Sequence, residues 1–200
     1  LRRQTDDEMI SAVVDGEADM IAALLPSSER QQSLKFSRPY LDSAFVLLTR
    51  KQSDTPATLD QLAGKRLAIA AGNPIIDWLH SEYPRIQLVE AADALRAIDM
   101  LARGEADGSV SSMVMANYSL SSHTLRDKLQ ISSTVGTRQA LVSLASATNA
   151  PELSSILDKA LTSIEPAELG VINNRWRGHI SAAELTWRTY HRVFLQFVAG

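Results

Sequence analysis

The chain of 200 residues contains no cysteine, and its four histidines show none of the spacings that are typical of a zinc site. The absence of cysteine excludes disulfide bonds and thiolate metal ligands, and it is compatible with the periplasm without establishing that compartment. The sequence also contains no nucleophile elbow and no glycine-rich phosphate loop. We therefore predict no metal site, no cofactor and no catalytic residues.

The sequence has neither a large excess of one charge nor a long apolar run. Its 20 basic and 23 acidic residues are spread without long blocks, and the net charge of −3 argues against a nucleic-acid partner. No run of about 18 apolar residues indicates a membrane span. The 45% hydrophobic content predicts one large globular domain or two lobes. Residues 1–7 read as neither a signal peptide nor a domain start, so we expect a fragment that lacks its first strand and helix.

The tetrapeptide Gly-Glu-Ala-Asp occurs twice, from Gly16 to Asp19 and from Gly104 to Asp107. Each copy follows apolar residues at helical spacing and precedes a run of strand type. Glycine can end a helix in the left-handed conformation without a Cβ penalty, so each copy predicts a helix, a turn and a strand. Chance recurrence of common residues is the alternative, but the flanking pattern recurs as well and favours a duplicated α/β lobe.

Strand and helix patterns alternate along the rest of the chain, which predicts a mainly parallel α/β sheet. The apolar runs at residues 44–49 and 140–145 have the pattern of strands that could cross between two lobes. Any ligand would then lie in the cleft between the lobes. We predict lobe 1 at residues 1–50 and 135–180, lobe 2 at residues 51–134, and a C-terminal helix or membrane-directed linker at residues 181–200.

Four segments together resemble the class 3 bacterial extracellular solute-binding family. They are the first Gly-Glu-Ala-Asp strand, residues 27–40, the turn at Gly72, and the stretch from Pro151 to Trp176. The resemblance covers about residues 8–180 and implies the two-lobed periplasmic-binding-protein type II fold, or Venus flytrap. The ending at residues 164–176 looks most like the periplasmic sensor domains of BvgS-type hybrid histidine kinases.

The resemblance also implies a ligand site around Arg30. In amino-acid-binding members an arginine of this motif holds the ligand carboxylate, and Ser27 occupies the motif's threonine position. The planar guanidinium suits that role because it donates two parallel hydrogen bonds. The alternative for Arg30 is a surface salt bridge with Glu29 or Asp42.

The opposite side of the cleft would contribute Gly72, Asn73 and Pro74, where N–H groups at a helix start can receive an anionic or carbonyl group. The acidic residue that the family uses for an ammonium falls at Ser112, with Ser111 before it. A buried ammonium without a carboxylate would lose its charge compensation, so we expect a ligand that lacks a free α-ammonium. The predicted ligand-binding residues are Arg30, Ser27, Gly72, Asn73, Pro74, Ser111 and Ser112.

The predicted function is that of a periplasmic ligand-sensing domain, part of an inner-membrane two-component hybrid histidine kinase, and not an enzyme. Its partner would be a small carboxylate or another small polar anion, or no ligand if the cleft is constitutively closed. We expect that the parent protein attaches the domain to the membrane and that nucleic acid is not a partner. A homodimer is compatible with this interpretation. The alternatives are a soluble binding protein of an amino-acid or organic-acid ABC transporter and a periplasmic dehydratase on the same fold.

Overall fold

The computed structural model describes residues 4–52 and 55–176, and these residues form an α/β structure. The region predicted as a C-terminal helix or linker, residues 181–200, lies outside the described residues. In the described part of the chain, no helix is both long and apolar enough to cross a membrane. The helices are α1 Asp6–Val14, α2 Ile76–Glu82, α3 Ala94–Arg103, α4 Met113–Leu120, α5 His123–Lys128, α6 Pro151–Ser163 and α7 Pro166–Trp176. The strands are β1 Met20–Leu24, β2 Leu34–Phe36, β3 Leu41–Arg50, β4 Arg66–Ala70, β5 Gln87–Ala91, β6 Gly108–Ser112 and β7 Leu129–Ala147.

The two copies of the tetrapeptide form the helix, turn and strand units that the sequence predicts. Gly16 and Gly104 have φ angles of 78° and 79°, the left-handed conformation that glycine adopts at low cost. The backbone N–H of the following glutamate reaches back to the helix in both copies, from Glu17 to the Ala12 carbonyl and from Glu105 to the Met100 carbonyl. The chain then enters β1 after the first copy and β6 after the second.

The sheet is mixed, so the prediction of a mainly parallel sheet is wrong. The strand order is β1-β7-β3-β6-β4-β5, and β2 also pairs with β7. Within the described residues, the pairs β4–β5 and β4–β6 are parallel, whereas β7 is antiparallel to β1, β2 and β3, and β3 is antiparallel to β6. Helices α2 and α3 separate the parallel strands along the chain, as parallel pairing requires. The long strands β3 and β7 instead lie side by side with opposite directions.

Two of the clusters of buried apolar side chains meet at β7. One cluster joins α1, β1 and β2 to the end of β7 and includes Val13, Ile21 and Ala145. Another joins β4, α2 and β6 to the middle of β7 and includes Val135 and Ala140. Burial of each large side chain in such a cluster stabilises the fold by about 1.5–3 kcal/mol. Strand β7 therefore connects two apolar cores.

Strand β7 contains an irregular segment beside β3. Two steps along β3, from Ala44 to Val46, correspond to five steps along β7, from Thr134 to Gln139. Gly136 lies within this bulge at φ 58°, and a Cβ added there would be 3.2 Å from the Trp78 ring. The bulge thus coincides with the predicted boundary between residues 134 and 135.

Candidate functional site

A cavity of about 310 Å³ opens where the carboxyl ends of β1, β4 and β6 approach the start of α1 and of α3. Ligands of α/β proteins commonly bind beyond the carboxyl ends of strands. Most of the lining is apolar, and the polar side chains are few. The lining residues with polar or charged side chains are Gln4, Asp6, Arg30, Asn73, Asp93, Ser111 and Ser112.

Asp6 owes its position to the way in which α1 begins. Thr5 is the N-cap, and its hydroxyl accepts a hydrogen bond from the Glu8 N–H at 3.2 Å, while the Glu8 carboxylate accepts from the Thr5 N–H at 2.9 Å. This reciprocal capping box fixes the first turn of the helix. Asp6 is the first helical residue, where the helix dipole favours a negative charge. The helix start therefore holds the Asp6 carboxylate at the cavity.

Arg30 is buried, with 6% of its side chain exposed, and its guanidinium is already bonded to protein groups. Nη2 donates to the Asp6 carboxylate at 2.7 Å and to the Ala71 carbonyl at 3.0 Å, and Nη1 donates to the Leu25 carbonyl at 3.0 Å. The alternative of a surface salt bridge with Glu29 or Asp42 is therefore wrong. The partner is Asp6, which the folding of α1 brings close across 24 residues of sequence.

Ser27 and Gly72 contact Arg30 without lining the cavity. The Ser27 hydroxyl accepts from the Arg30 N–H at 3.3 Å and so supports the short turn that begins there. Gly72 has φ 64°, and a Cβ added to it would be 3.1 Å from Arg30 Nε and 3.3 Å from Nη2. The guanidinium therefore lies directly against the backbone of the turn between β4 and α2, and glycine is needed there for both conformation and space.

The expectation of free N–H groups around Asn73 and Pro74 is wrong. The Asn73 N–H donates to the Ala70 carbonyl at 3.2 Å, and the Ile76 N–H donates to the Asn73 carbonyl at 3.1 Å. The Asn73 side chain accepts from the Ile75 N–H at 3.2 Å. Pro74 has no N–H to offer. These donors complete the turn itself, and of Gly72, Asn73 and Pro74 it is Asn73 that lines the cavity.

Ser111 and Ser112 lie together at the end of β6 but differ in their hydrogen bonding. The Ser112 hydroxyl is the N-cap of α4 and accepts from the Met115 N–H at 3.2 Å. Ser111 is 2% exposed, and its hydroxyl has no partner among the described residues. A buried hydroxyl without a partner costs about 1–3 kcal/mol. Ser111 is therefore a lining group that a bound solute could satisfy.

Among the residues that the structure describes, the charged groups at the cavity are the carboxylates of Asp6 and Asp93 and the guanidinium of Arg30. Burial raises the pKa of Asp6 above its usual value, and this effect outweighs the opposing attraction of Arg30, while the neighbouring charges of Asp93 and Asp7 raise the pKa further. Asp93 is the N-cap of α3 and accepts from the Arg96 N–H at 2.8 Å. Ionisation of the Asp6 carboxyl group therefore costs more free energy here than it does in water.

Sequence reasoning identified Arg30, Asn73, Ser111 and Ser112 as site residues, and the structure places all four around one cavity. It did not identify Asp6 or Asp93 as lining residues. Each begins a helix, and the spacing of Thr5 and Glu8 marked the first helix start as a capping box. No group of three or more His, Cys, Asp or Glu residues within the described ranges could hold a metal ion.

The family model described as bacterial extracellular solute-binding proteins, family 3, matches residues 1–179. The virulence sensor protein BvgS of Bordetella pertussis is 37% identical over 98% of this chain and 16% of its own length. The sensor protein EvgS of Escherichia coli K12 is 25% identical over 88% of this chain and 14% of its own length. The chain thus spans about a sixth of these relatives.

A solved structure has the same fold. The crystal structure of the periplasmic domain of Bordetella pertussis BvgS superposes with a TM-score of 0.84 at 34% identity, covering 98% of this chain and 38% of the solved chain. The strand order and the mixed sheet described above are therefore those of a Venus-flytrap domain, as the sequence resemblance predicts.

Proposed function

Because the chain belongs to the bacterial extracellular solute-binding proteins, family 3, we propose that it is the ligand-sensing domain of a membrane-bound signalling protein, namely a two-component hybrid histidine kinase. The observation that carries this proposal is the similarity to BvgS over 98% of the chain. Sensor and solute-binding domains are not themselves catalytic, and this chain is a binding domain rather than an enzyme. Since the homologous domain of BvgS is periplasmic, we place this domain in the periplasm, with the membrane anchor in the parent protein.

Two lobes would move relative to each other in this sensor. We propose lobe 1 at residues 1–50 and 135–180 and lobe 2 at residues 51–134, joined by β3 and β7. In support of two lobes, the core of α1, β1 and β2 is separate from the core of β4, α2 and β6, although the latter also includes residues of β3 and β7. The bulge around Gly136 lies at the proposed boundary. A ligand can shift an equilibrium between open and closed cleft only by its differential affinity for the two states. A weakly bound metabolite is therefore sufficient for signalling if the two states differ by only a few kcal/mol.

The ligand we propose is a small carboxylate or another small polar anion bound beside Arg30. The support is the buried guanidinium, since arginine donates to carboxylates in a planar fork. Such a ligand has to compete with Asp6 for that guanidinium, in a cavity that Ser111 and Ser112 also line. An anion that binds far from Arg30 is disfavoured, because the carboxylate of Asp93 also lines the cavity and carries the same sign of charge.

A thermal-shift screen tests the ligand class. Carboxylic acids, amino acids and neutral solutes are added to the wild-type chain and to Arg30→Met, which retains side-chain volume without charge. We expect simple carboxylates to raise the Tm of the wild type, and the loss of Arg30 to weaken their binding by roughly 2–5 kcal/mol. The matched control is Arg38→Met, because Arg38 pairs with Asp158 in an exposed ion pair outside the cavity.

Two outcomes of the screen would contradict the proposal. One is stabilisation by amino acids without stabilisation by simple carboxylates. The other is an equal response of the wild type and Arg30→Met to the same carboxylate. The signalling role has a separate test in the complete reading frame, where a transmembrane helix and a kinase region are expected; a frame that stops close to Gly200 would instead indicate a soluble binding protein.

A further inference from the structure

We propose that Asp6 is a built-in occupant of the Arg30 site: its carboxylate takes the position of a ligand carboxylate and is exchanged for the ligand on binding. This inference rests on the proposed function, in which the cavity is the ligand site. It assigns a role to a residue at the start of α1. In this role the Asp6 carboxylate compensates the charge of the buried Arg30 when no ligand is bound.

The geometry of the pair shows why the occupant can be exchanged. Asp6 is held through Nη2, which also donates to the Ala71 carbonyl, while Nη1 is turned toward the Leu25 carbonyl. The stronger, bidentate arrangement would use two parallel N–H···O bonds to the same carboxylate. Asp6 therefore compensates the charge of Arg30 through one nitrogen only. A carboxylate on a small molecule is not tied to a helix and can take the bidentate geometry that Asp6 does not reach.

The energetics of burial favour exchange as well. A buried guanidinium without a counter-charge is costly, so some anion has to stay close to Arg30 in the absence of ligand. Asp6 provides that anion, but burial raises the pKa of its carboxyl despite the nearby arginine. When a ligand replaces it, the Asp6 carboxylate can regain water, because 24% of its side chain is exposed already. The exchange thus conserves the charge pair and relieves part of the desolvation.

The contacts of Arg30 extend across the proposed cleft. Asp6 and Leu25 belong to the proposed lobe 1, whereas Ala71 and Gly72 belong to the proposed lobe 2. The same Nη2 group bonds both Asp6 and Ala71. A carboxylate that binds Nη2, whether from Asp6 or from a ligand, therefore also affects the hydrogen bond from Nη2 to the Ala71 carbonyl of the second lobe. The cavity beside the pair, with the unsatisfied Ser111 hydroxyl, has space for the remainder of a ligand.

Chemical rescue of the missing carboxylate tests the exchange. Asp6→Ala removes the occupant and leaves Arg30, and sodium formate supplies a carboxylate small enough for the vacated position. We expect formate to raise the Tm of Asp6→Ala in a saturable way by about 3 °C or more relative to sodium chloride of equal ionic strength. The wild-type chain should respond much less, since Asp6 competes. Asp6→Ser is the second variant if Asp6→Ala does not fold, because it also removes the charge and is small enough to leave space for formate.

Two controls define the site of the rescue. Asp158→Ala opens the exposed pair with Arg38 and should gain no formate response. The double variant Asp6→Ala/Arg30→Met should lose the response that Asp6→Ala shows. The proposal is overturned if folded Asp6→Ala and Asp6→Ser show no response that distinguishes formate from chloride, if the wild type responds equally, or if the response persists without Arg30.

This experiment is independent of the proposed function in its outcome. Formate rescue depends only on Asp6 and Arg30 and not on the natural ligand or on the parent protein. A wild type that is stabilised by carboxylates in the screen, together with variants that formate does not rescue, would retain the ligand site and reject the exchange. Rescue without any ligand response of the wild type would support Asp6 as occupant and contradict the carboxylate-sensing proposal.

Discussion

At the scale of single residues, the pair of Arg30 and Asp6 determines what the cavity can bind. Arg30 could be found from sequence, because its spacing from Ser27 matches a family motif. Asp6 could not, because its contact with Arg30 spans 24 residues and no periodic pattern reports a long-range ion pair. Ser111 was found for its position after the strand, but only packing reveals that its hydroxyl lacks a partner.

The pH dependence of stability tests the state of Asp6. Because burial raises its pKa in the folded chain, the folded chain binds a proton more tightly than the unfolded chain does. The contribution of Asp6 is therefore least favourable above the raised folded pKa and improves as the pH falls through it toward the unfolded value. Urea unfolding at pH 7 to pH 4 should show the wild type gaining stability relative to Asp6→Asn. A relative loss toward acid would mean that the attraction of Arg30 outweighs desolvation.

At the scale of elements, sequence patterns predicted the helices, turns and strands that residues close in sequence form. Both helix–turn–strand units occur where the Gly-Glu-Ala-Asp repeats predict them, and the predicted strands at residues 44–49 and 140–145 lie within β3 and β7. The pairing of β3 with β7 was beyond local reasoning, because the paired residues are far apart in sequence. The mixed sheet follows from that pairing. The N–H groups of Asn73, Ile75 and Ile76 are not free for a ligand, since the turn uses them itself.

The turn between β4 and α2 offers a test of its contact with Arg30. Gly72→Ala introduces a methyl group at φ 64° and about 3.1 Å from Arg30 Nε. Gly64→Ala is the matched control, because Gly64 has φ 79° and nothing within 4 Å of the added Cβ. We expect the control to cost about 1–2 kcal/mol of unfolding free energy from backbone strain alone, and Gly72→Ala to cost more. Denaturant unfolding measures both variants, and equal losses would mean that Arg30 does not press against the turn.

At the scale of the whole molecule, the chain is a Venus-flytrap domain that spans about a sixth of the sensor proteins it resembles. The fold and its family could be recognised from a few motifs, because they mark the site and the ends of the repeat. The division into lobes and the direction of signalling are properties of long-range packing. Under the division proposed above, Arg30 bonds Asp6 of lobe 1 and Ala71 of lobe 2 through the same Nη2 atom.

Small-angle scattering of the ligand-free chain tests this account most directly. Arg30→Met removes the hydrogen bonds to Asp6 and Ala71, and Arg38→Met removes an exposed ion pair of matched chemistry that lies outside the cavity. If lobes 1–50 plus 135–180 and 51–134 are held together by Arg30, the radius of gyration of Arg30→Met should exceed that of the wild type, and Arg38→Met should match the wild type. Superimposable curves for all three folded chains would contradict the account.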